Sequence, residues 1–362
     1  MESWLTLWRL PGIGSRSVQK LLDAFGTPEH ALQASEPAWR QAGLKGAQLL
    51  PLSARKADIS ADLRWLEAEH HHLLPITSPD YPAQLANIPA APALLFVQGD
   101  KTLLHHPQLA IVGSRNPTQG GIQNAKAFAS HLASRGFGIT SGLAIGIDGA
   151  CHEAALDTAG ITIAVAATGL DRVYPAKHRN LARRIASEGA IVSEFPIGTR
   201  PRAEHFPQRN RIISGLSLGT LVVEAARKSG SLISARYAND QGRELFAIPG
   251  SIHNPLARGC HQLIRQGAKL VETAEDILEE LGPLLPGNVS HTMPQASPDT
   301  IKPSDEHAQM LQHIDFEPTP VDVIISRCGL TPEAVSSMLL IMELDGQITA
   351  EPGGFYIRLA EN

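Results

Sequence analysis

The chain has 362 residues, 43% of them hydrophobic and 5% aromatic, enough for one large core with one or two small satellites, so more than one domain is expected. Its formal charge of −5 excludes a uniformly basic protein, but the total hides an asymmetry. Residues 108–270 hold 19 basic and 10 acidic side chains, net +9, whereas residues 271–362 hold 3 basic and 16 acidic, net −13; the middle suits an anionic partner and the tail does not. Cys151, Cys260 and Cys328 stand far apart with no C-x-x-C pair, which predicts buried thiols rather than disulfides or zinc, and no metal. No charged leader followed by an apolar run opens the chain, and no stretch reaches bilayer length. A cytoplasmic protein without a membrane partner is therefore expected.

Apolar spacing and glycine or proline breaks predict helices over residues 4–9, 15–25, 36–42 and 54–70, a small helical module. The run His70-His71-His72 is expected to end the last of these as a solvated terminus favoured by the helix dipole. From residue 94 the pattern changes. Short apolar runs at 109–112, 137–140, 161–166, 190–193, 220–223, 244–248 and 269–271 alternate with helical stretches, which predicts a parallel sheet covered on both faces. Five prolines between residues 283 and 303 read as a linker of limited flexibility.

Beyond it, helices near 306–314 and 321–327 precede a third that starts at Thr331 (N-cap) and Pro332 (first helical position), and strands 347–350 and 355–359 flank a turn. Three helices and a hairpin outline a winged helix. The third helix has no Lys or Arg from residue 332 to 345 but carries Glu333, Glu343 and Asp345, so protein contact is expected there rather than base readout. The predicted organisation is a helical module at 1–75, an α/β domain at 76–282, a linker at 283–303 and a winged helix at 304–362.

In an open parallel sheet, ligands bind beyond the carboxyl ends of the strands. There the sequence places Gly113-Ser114-Arg115, the glycine-spaced segment from Ser141 to Asp148, Lys177 and Arg179 beside Tyr174, Arg209-Asn210-Arg211 in a helix, and Ser229-Gly230-Ser231. Glycine admits backbone N–H groups to an oxyanion, a helix start adds its dipole, and arginine grips two oxygens at once. The dinucleotide fingerprint G-x-G-x-x-G and the P-loop ending G-K-[ST] are both missing, so an extended phosphate chain is the candidate ligand and no cofactor is expected. Tyr174, Phe195 and Phe206 are the aromatics near this face, compatible with a single strand held by its backbone. Asp148, His152, Glu153, Glu194 and Glu224 lie near strand ends without assembling a catalytic set, and His152 reads as a core residue.

The segment Leu10-Pro11-Gly12-Ile13-Gly14 resembles a helix-hairpin-helix motif. Over residues 79–273 the chain resembles the DNA processing protein A (DprA/Smf) family. The resemblance is carried by Ile111-Val112-Gly113-Ser114-Arg115, Ser141-Gly142-Leu143-Ala144, Gly169-Leu170-Asp171 with Tyr174-Pro175, Arg209-Asn210-Arg211-Ile212-Ile213, Ser229-Gly230-Ser231-Leu232 and Ile248-Pro249-Gly250. It implies an extended Rossmann-like fold with a helical SAM-like module before it and a winged helix after it. It also implies a non-enzymatic protein that binds single-stranded DNA, protects it and loads RecA onto it in natural transformation, displacing or bypassing single-strand binding protein. DNA contacts are implied at Gly113, Ser114, Arg115, Lys177, Arg209, Asn210, Arg211, Gly230 and Ser231, and a homodimer contact at Leu263 and Ile264. The competing reading is a nucleoside-monophosphate phosphoribohydrolase. That reading needs Pro-Gly-Gly-x-Gly-Thr before its glutamate, where this chain has Gly215-Leu216-Ser217-Leu218-Gly219-Thr220 before Glu224. A third reading is a sensor of a small nucleotide.

Overall fold

A computed structural model of the chain describes residues 1–282, 310–311, 313–314 and 318–359. Two units result. The larger begins with helices α1 (Glu2–Arg9), α2 (Ser15–Phe25), α3 (Pro28–Gln33), α4 (Glu36–Gln41) and α5 (Ser60–Leu66). In α2, Val18, Leu21 and Leu22 recur at helical spacing and are buried. Helices α3 and α4 are set by caps: Thr27 and Ser35 accept from the N–H groups of His30 and Ala38, each with a proline in the first turn.

The helix expected over 54–70 does not form as one piece. Arg55 turns inward, its guanidinium carbon 3.7 Å from the Trp39 ring centroid and its N–H groups on the carbonyls of Leu50, Leu32 and Ala34, so the chain starts α5 only at Ser60. The histidine run is not a helix end either. His71 and His72 open strand β1 (His71–Pro75), which pairs antiparallel with β2 (Leu94–Gly99) after a left-handed turn at His70. Burial of Leu73 and Leu74 against the sheet decides this, overriding local helix propensity.

The remaining strands are β3 (Gln108–Val112), β4 (Gly138–Ser141), β5 (Thr162–Val165), β6 (Ala190–Ser193), β7 (Gly219–Val222), β8 (Glu244–Ala247) and β9 (Lys269–Leu270). Between them run α6 (Ala83–Ala86), α7 (Gln119–Ser134), α8 (Ile147–Asp157), α9 (Arg179–Glu188), α10 (His205–Leu216), α11 (Ser231–Asp240) and α12 (Arg258–Arg265), with α13 (Ala274–Leu281) last. The sheet order is β1-β2-β6-β5-β4-β3-β7-β8-β9. From β6 to β9 all pairs are parallel; the β1–β2 hairpin adds an antiparallel edge. Along β3, Leu109 and Ile111 join one core cluster while Ala110 and Val112 join another, the alternation of a strand buried on both faces. The chain winds outward from β3 through β4, β5 and β6, then crosses back to β7 and proceeds the other way. The switch point therefore lies between β3 and β7.

The helical residues share a core with the sheet. Asp62, fully buried, accepts from Arg9 and from Ile197 N–H, and Trp8 Nε1 donates to Glu194 O at 2.9 Å.

The second unit contains β10 (Thr319–Pro320), α14 (Val321–Cys328), α15 (Pro332–Leu344), β11 (Ile348–Glu351) and β12 (Phe355–Arg358), with strand order β10-β12-β11. Thr331 caps α15 through Ala334 N–H, with Pro332 in its first turn, as the sequence predicts. Leu340, Ile341 and Leu344 of α15 are exposed. The predicted linker at 283–303 and most of the helix near 306–314 lie outside the described residues. No single described helix is long and apolar enough to cross a membrane.

Candidate functional site

Three loops meet at the switch point. After β3, Gly113 packs so close to Ile147 that a Cβ would lie 2.6 Å from its side chain, and Gly146 (φ +89°) leaves no room for a Cβ, which would lie 2.4 Å from Ser114 O. The loops after β3 and β4 are thus interlocked, with Ile147 N–H donating to Ser114 O at 3.2 Å. Ser114 Oγ accepts from Asn116 N–H at 3.1 Å, so the turn projects Arg115 outward, exposed and with its guanidinium 5.4 Å from the Phe206 ring centroid. After β7, Ser229 Oγ accepts from Ser231 N–H at 3.3 Å, bending the chain into the start of α11. Asn210 of α10 ties this loop down through Gly230 O at 3.4 Å.

Together Gly113, Ser114, Arg115, Arg209, Asn210, Gly230 and Ser231 line one cleft of about 600 Å³, with Lys228 on its wall. A second cavity of about 230 Å³ adjoins it, sharing Arg115, Phe206 and Arg209 and adding Tyr174 and Pro175. Tyr174 is 49% exposed and its ring centre lies 5.6 Å from that of Phe206.

Arg209 is the electrostatic centre. Only 4% exposed, it fills the space that a side chain on Gly142 would need: a Cβ there would lie 1.5 Å from Nη1. Burial, with a smaller push from neighbouring Arg115, brings its pKa down to about 10 against the opposing pull of Asp148. Asp148, held by the N–H groups of Gly142 (3.1 Å) and Ala144 (3.4 Å), is pushed up by burial although Arg209 draws it down. Arg209 Nε has no acceptor among the described residues. Two guanidiniums beside backbone amides and a helix start can hold phosphate oxygens of a chain that enters along the crevice.

Not every predicted residue reaches the cleft. Arg211 turns inward, where Nη2 donates to Glu194 Oε2 at 2.6 Å and the two side chains are 8% and 0% exposed. The reason is periodicity: two residues along a helix advance about 200°, so Arg209 and Arg211 face opposite ways. Lys177 is exposed on a short 3-10 turn and lines neither cavity. Leu263 is 6% exposed and packs in the chain's own core, while Ile264 is half-buried beside it. Lys228 is an addition that the sequence does not single out; its signal is the Arg227-Lys228 pair directly before Ser229.

Glu224, the carboxylate the hydrolase reading needs, follows β7 and packs its carboxyl group against the start of α7, where a Cβ on Gly121 would come 2.5 Å from it, and it does not line the cleft. His152 is fully buried, its Nδ1 2.7 Å from Thr162 Oγ1, and burial pulls its pKa down to about 3. Cys151 and Cys260 are buried free thiols, and Cys328 is half-buried.

The fold and cleft define a class: a Rossmann-like α/β protein with an arginine- and amide-lined crevice at the switch point, followed in the chain by a winged helix. The chain belongs to the DNA recombination-mediator protein A family, whose model matches residues 72–282, and the DprA winged helix domain model matches residues 294–354. It is 47% identical over 315 residues to Protein Smf of Escherichia coli, covering 85% of this chain and 83% of that one. It is 47% identical over 222 residues to DNA processing protein DprA of Bacillus subtilis, covering 61% and 74%. The X-ray structure of DNA processing protein A from Streptococcus pneumoniae superposes with a TM-score of 0.68 at 36% identity, covering 76% of this chain and 95% of that one. A Helicobacter pylori DNA processing protein A structure, described for its single-stranded DNA binding mode, matches with a TM-score of 0.54 at 30% identity, covering 60% and 99%.

Proposed function

We propose that this protein binds single-stranded DNA in the switch-point cleft, shields it, and loads RecA recombinase onto it during natural transformation, acting in the cytoplasm as a homodimer without catalysing a reaction. The observation that carries the reading is the convergence of Arg115, Arg209 and the Ser229–Ser231 loop on one crevice, with Tyr174 and Phe206 at its mouth to stack on bases. Gly113 and Gly230 admit the backbone closely, Ser114, Asn210 and Ser231 supply hydrogen bonds, and Arg115 and Arg209 neutralise phosphates. Arg211 serves by holding α10 to Glu194 rather than by touching DNA.

Single-strand binding protein is the expected competitor for the strand, and Ile264 is the better-exposed of the two dimer candidates. Titration of labelled oligothymidine over a salt series tests the first step. Affinity falls with a log-log slope of about −0.7 per phosphate neutralised, and salt-independent binding refutes the reading. RecA filament assembly on coated strands, with and without the protein, tests the second. Incubation with AMP releases no adenine, because Glu224 does not reach the cleft.

A further inference from the structure

A second groove lies on the other side of the turn that carries Tyr174. Arg172, Arg179 and Arg183, with His70 and His71 at the far rim, line a depression of about 720 Å³ that shares no residue with either cavity of the cleft. Arg179 and Arg183 stand four apart on α9, so they share a face; both are exposed, and neither has an ion-pair partner among the described residues. Arg179 opens the helix directly after Lys177 and His178, and the first turn holds no acidic residue.

Cations at a helix start oppose its dipole, and like charges four apart repel. The fold gains nothing from this arrangement, whereas an anion there meets the dipole and two guanidiniums together. The carboxylates nearby do not fill that role. Asp171 is engaged by Arg172 at 2.5 Å and by Gly198 N–H at 2.9 Å, and Glu69 stands 91% exposed at the rim, 3.7 Å from His70.

One segment of chain borders both the groove and the cleft. Tyr174 and Pro175 line the cleft cavity, Arg172 and Val173 line the groove, and exposed Lys177 follows between Pro175 and Arg179. We propose that a strand gripped in the cleft continues over Tyr174 and Lys177 into this groove, where Arg179 and Arg183 hold its next phosphates. The ligand class is the sugar-phosphate backbone of a single strand, without base readout. The inference rests on the single-strand reading of the cleft and extends its path.

Anisotropy titrations with oligothymidines of about 6 and about 16 nucleotides, near the two ends of the span single-strand sites cover, compare the full-length protein with Arg179→Ala/Arg183→Ala. The short strand binds both proteins alike. The long strand binds the variant about tenfold more weakly, the size of one charge-assisted hydrogen bond, and its salt slope drops by about 0.7 for each phosphate the variant no longer neutralises. Arg179→Glu/Arg183→Glu deepens the loss. Equal affinity of all three proteins for the long strand overturns the groove and leaves the cleft standing, and so does an equal loss on both strand lengths, which marks a diffuse field. If neither strand binds the unaltered protein, the cleft reading fails and the groove falls with it.

Discussion

Arg115 and Arg209 divide the work of the cleft by exposure. Arg115 is free to close on a phosphate, whereas Arg209 is fixed between Gly142 and Asp148 before any ligand arrives, so its rotamer freedom is already given up. Arg115→Ala removes a charge-assisted hydrogen bond worth about 1.5–3 kcal/mol and weakens oligothymidine binding about 10- to 150-fold with an unchanged melting temperature; anisotropy and thermal scans check both. His152 carries a stability prediction. Its imidazole is held neutral down to about pH 3 by burial, while in the unfolded chain it takes up a proton near pH 6.5. Between those values the unfolded state binds more protons, so this group's contribution is complete above pH 6.5 and declines by about 1.4 kcal/mol per pH unit below it. Urea midpoints of wild type and His152→Asn, measured from pH 7 to pH 4, should diverge in slope, with the variant flatter. Asp148 and Glu194, pushed up by burial, act with the opposite sign in both proteins, so the difference isolates the imidazole.

Helix α10 is the element that joins site to scaffold. One face lays Arg209 and Asn210 along the cleft and the other buries Arg211 against Glu194 beyond β6. Arg211→Met leaves the Glu194 carboxylate buried without its partner and lowers stability by about 3–5 kcal/mol, yet the salt slope of DNA binding measured on the folded fraction stays as in wild type, because every phosphate keeps its cation. A reduced slope would return Arg211 to the cleft. The elements also show where sequence patterns are readable. Strand β6 falls on residues 190–193 as expected because a strand buried on both faces is a continuous apolar run. The helix expected over 54–70 breaks because the inward turn of Arg55 and the pairing of His71–Pro75 with β2 are non-local, and no window of sequence contains both partners. Helix α3 is missed because its six residues are too few to display a period, although Thr27 and Pro28 mark its start.

At the scale of the whole molecule, the two units have separate cores: Ile324, Val335, Leu339, Met342 and Ile348 form a cluster with no member from the sheet. Units with separate cores unfold separately. Calorimetry should resolve two transitions, and oligothymidine at about 100 times its Kd should raise only the larger unit's, by about 2.7 kcal/mol at its midpoint. A single transition, or a shift of the smaller one alone, contradicts that assignment. The charge asymmetry belongs to this scale as well. The +9 segment contains the cleft, while the acidic tail, net −13, includes α15 with its exposed leucines and no basic side chain, a surface that repels phosphate.

By itself the sequence determined the parallel strands from β3 to β9 and the β11–β12 pair, where Thr331 caps a helix, and that glycine, hydroxyl and arginine cluster in the loops after β3, β4 and β7. Those properties are local, because an apolar run, a cap or a tight turn is specified by residues within a few positions of one another. Only the tertiary structure decided that Arg209 and Lys228 face the crevice while Arg211 and Glu224 do not, that Leu263 is buried in the chain's own core, and that the histidine run joins a sheet edge. Each of those depends on which way a side chain points once distant strands have paired, and that direction is set by packing across the sheet rather than by neighbours along the chain.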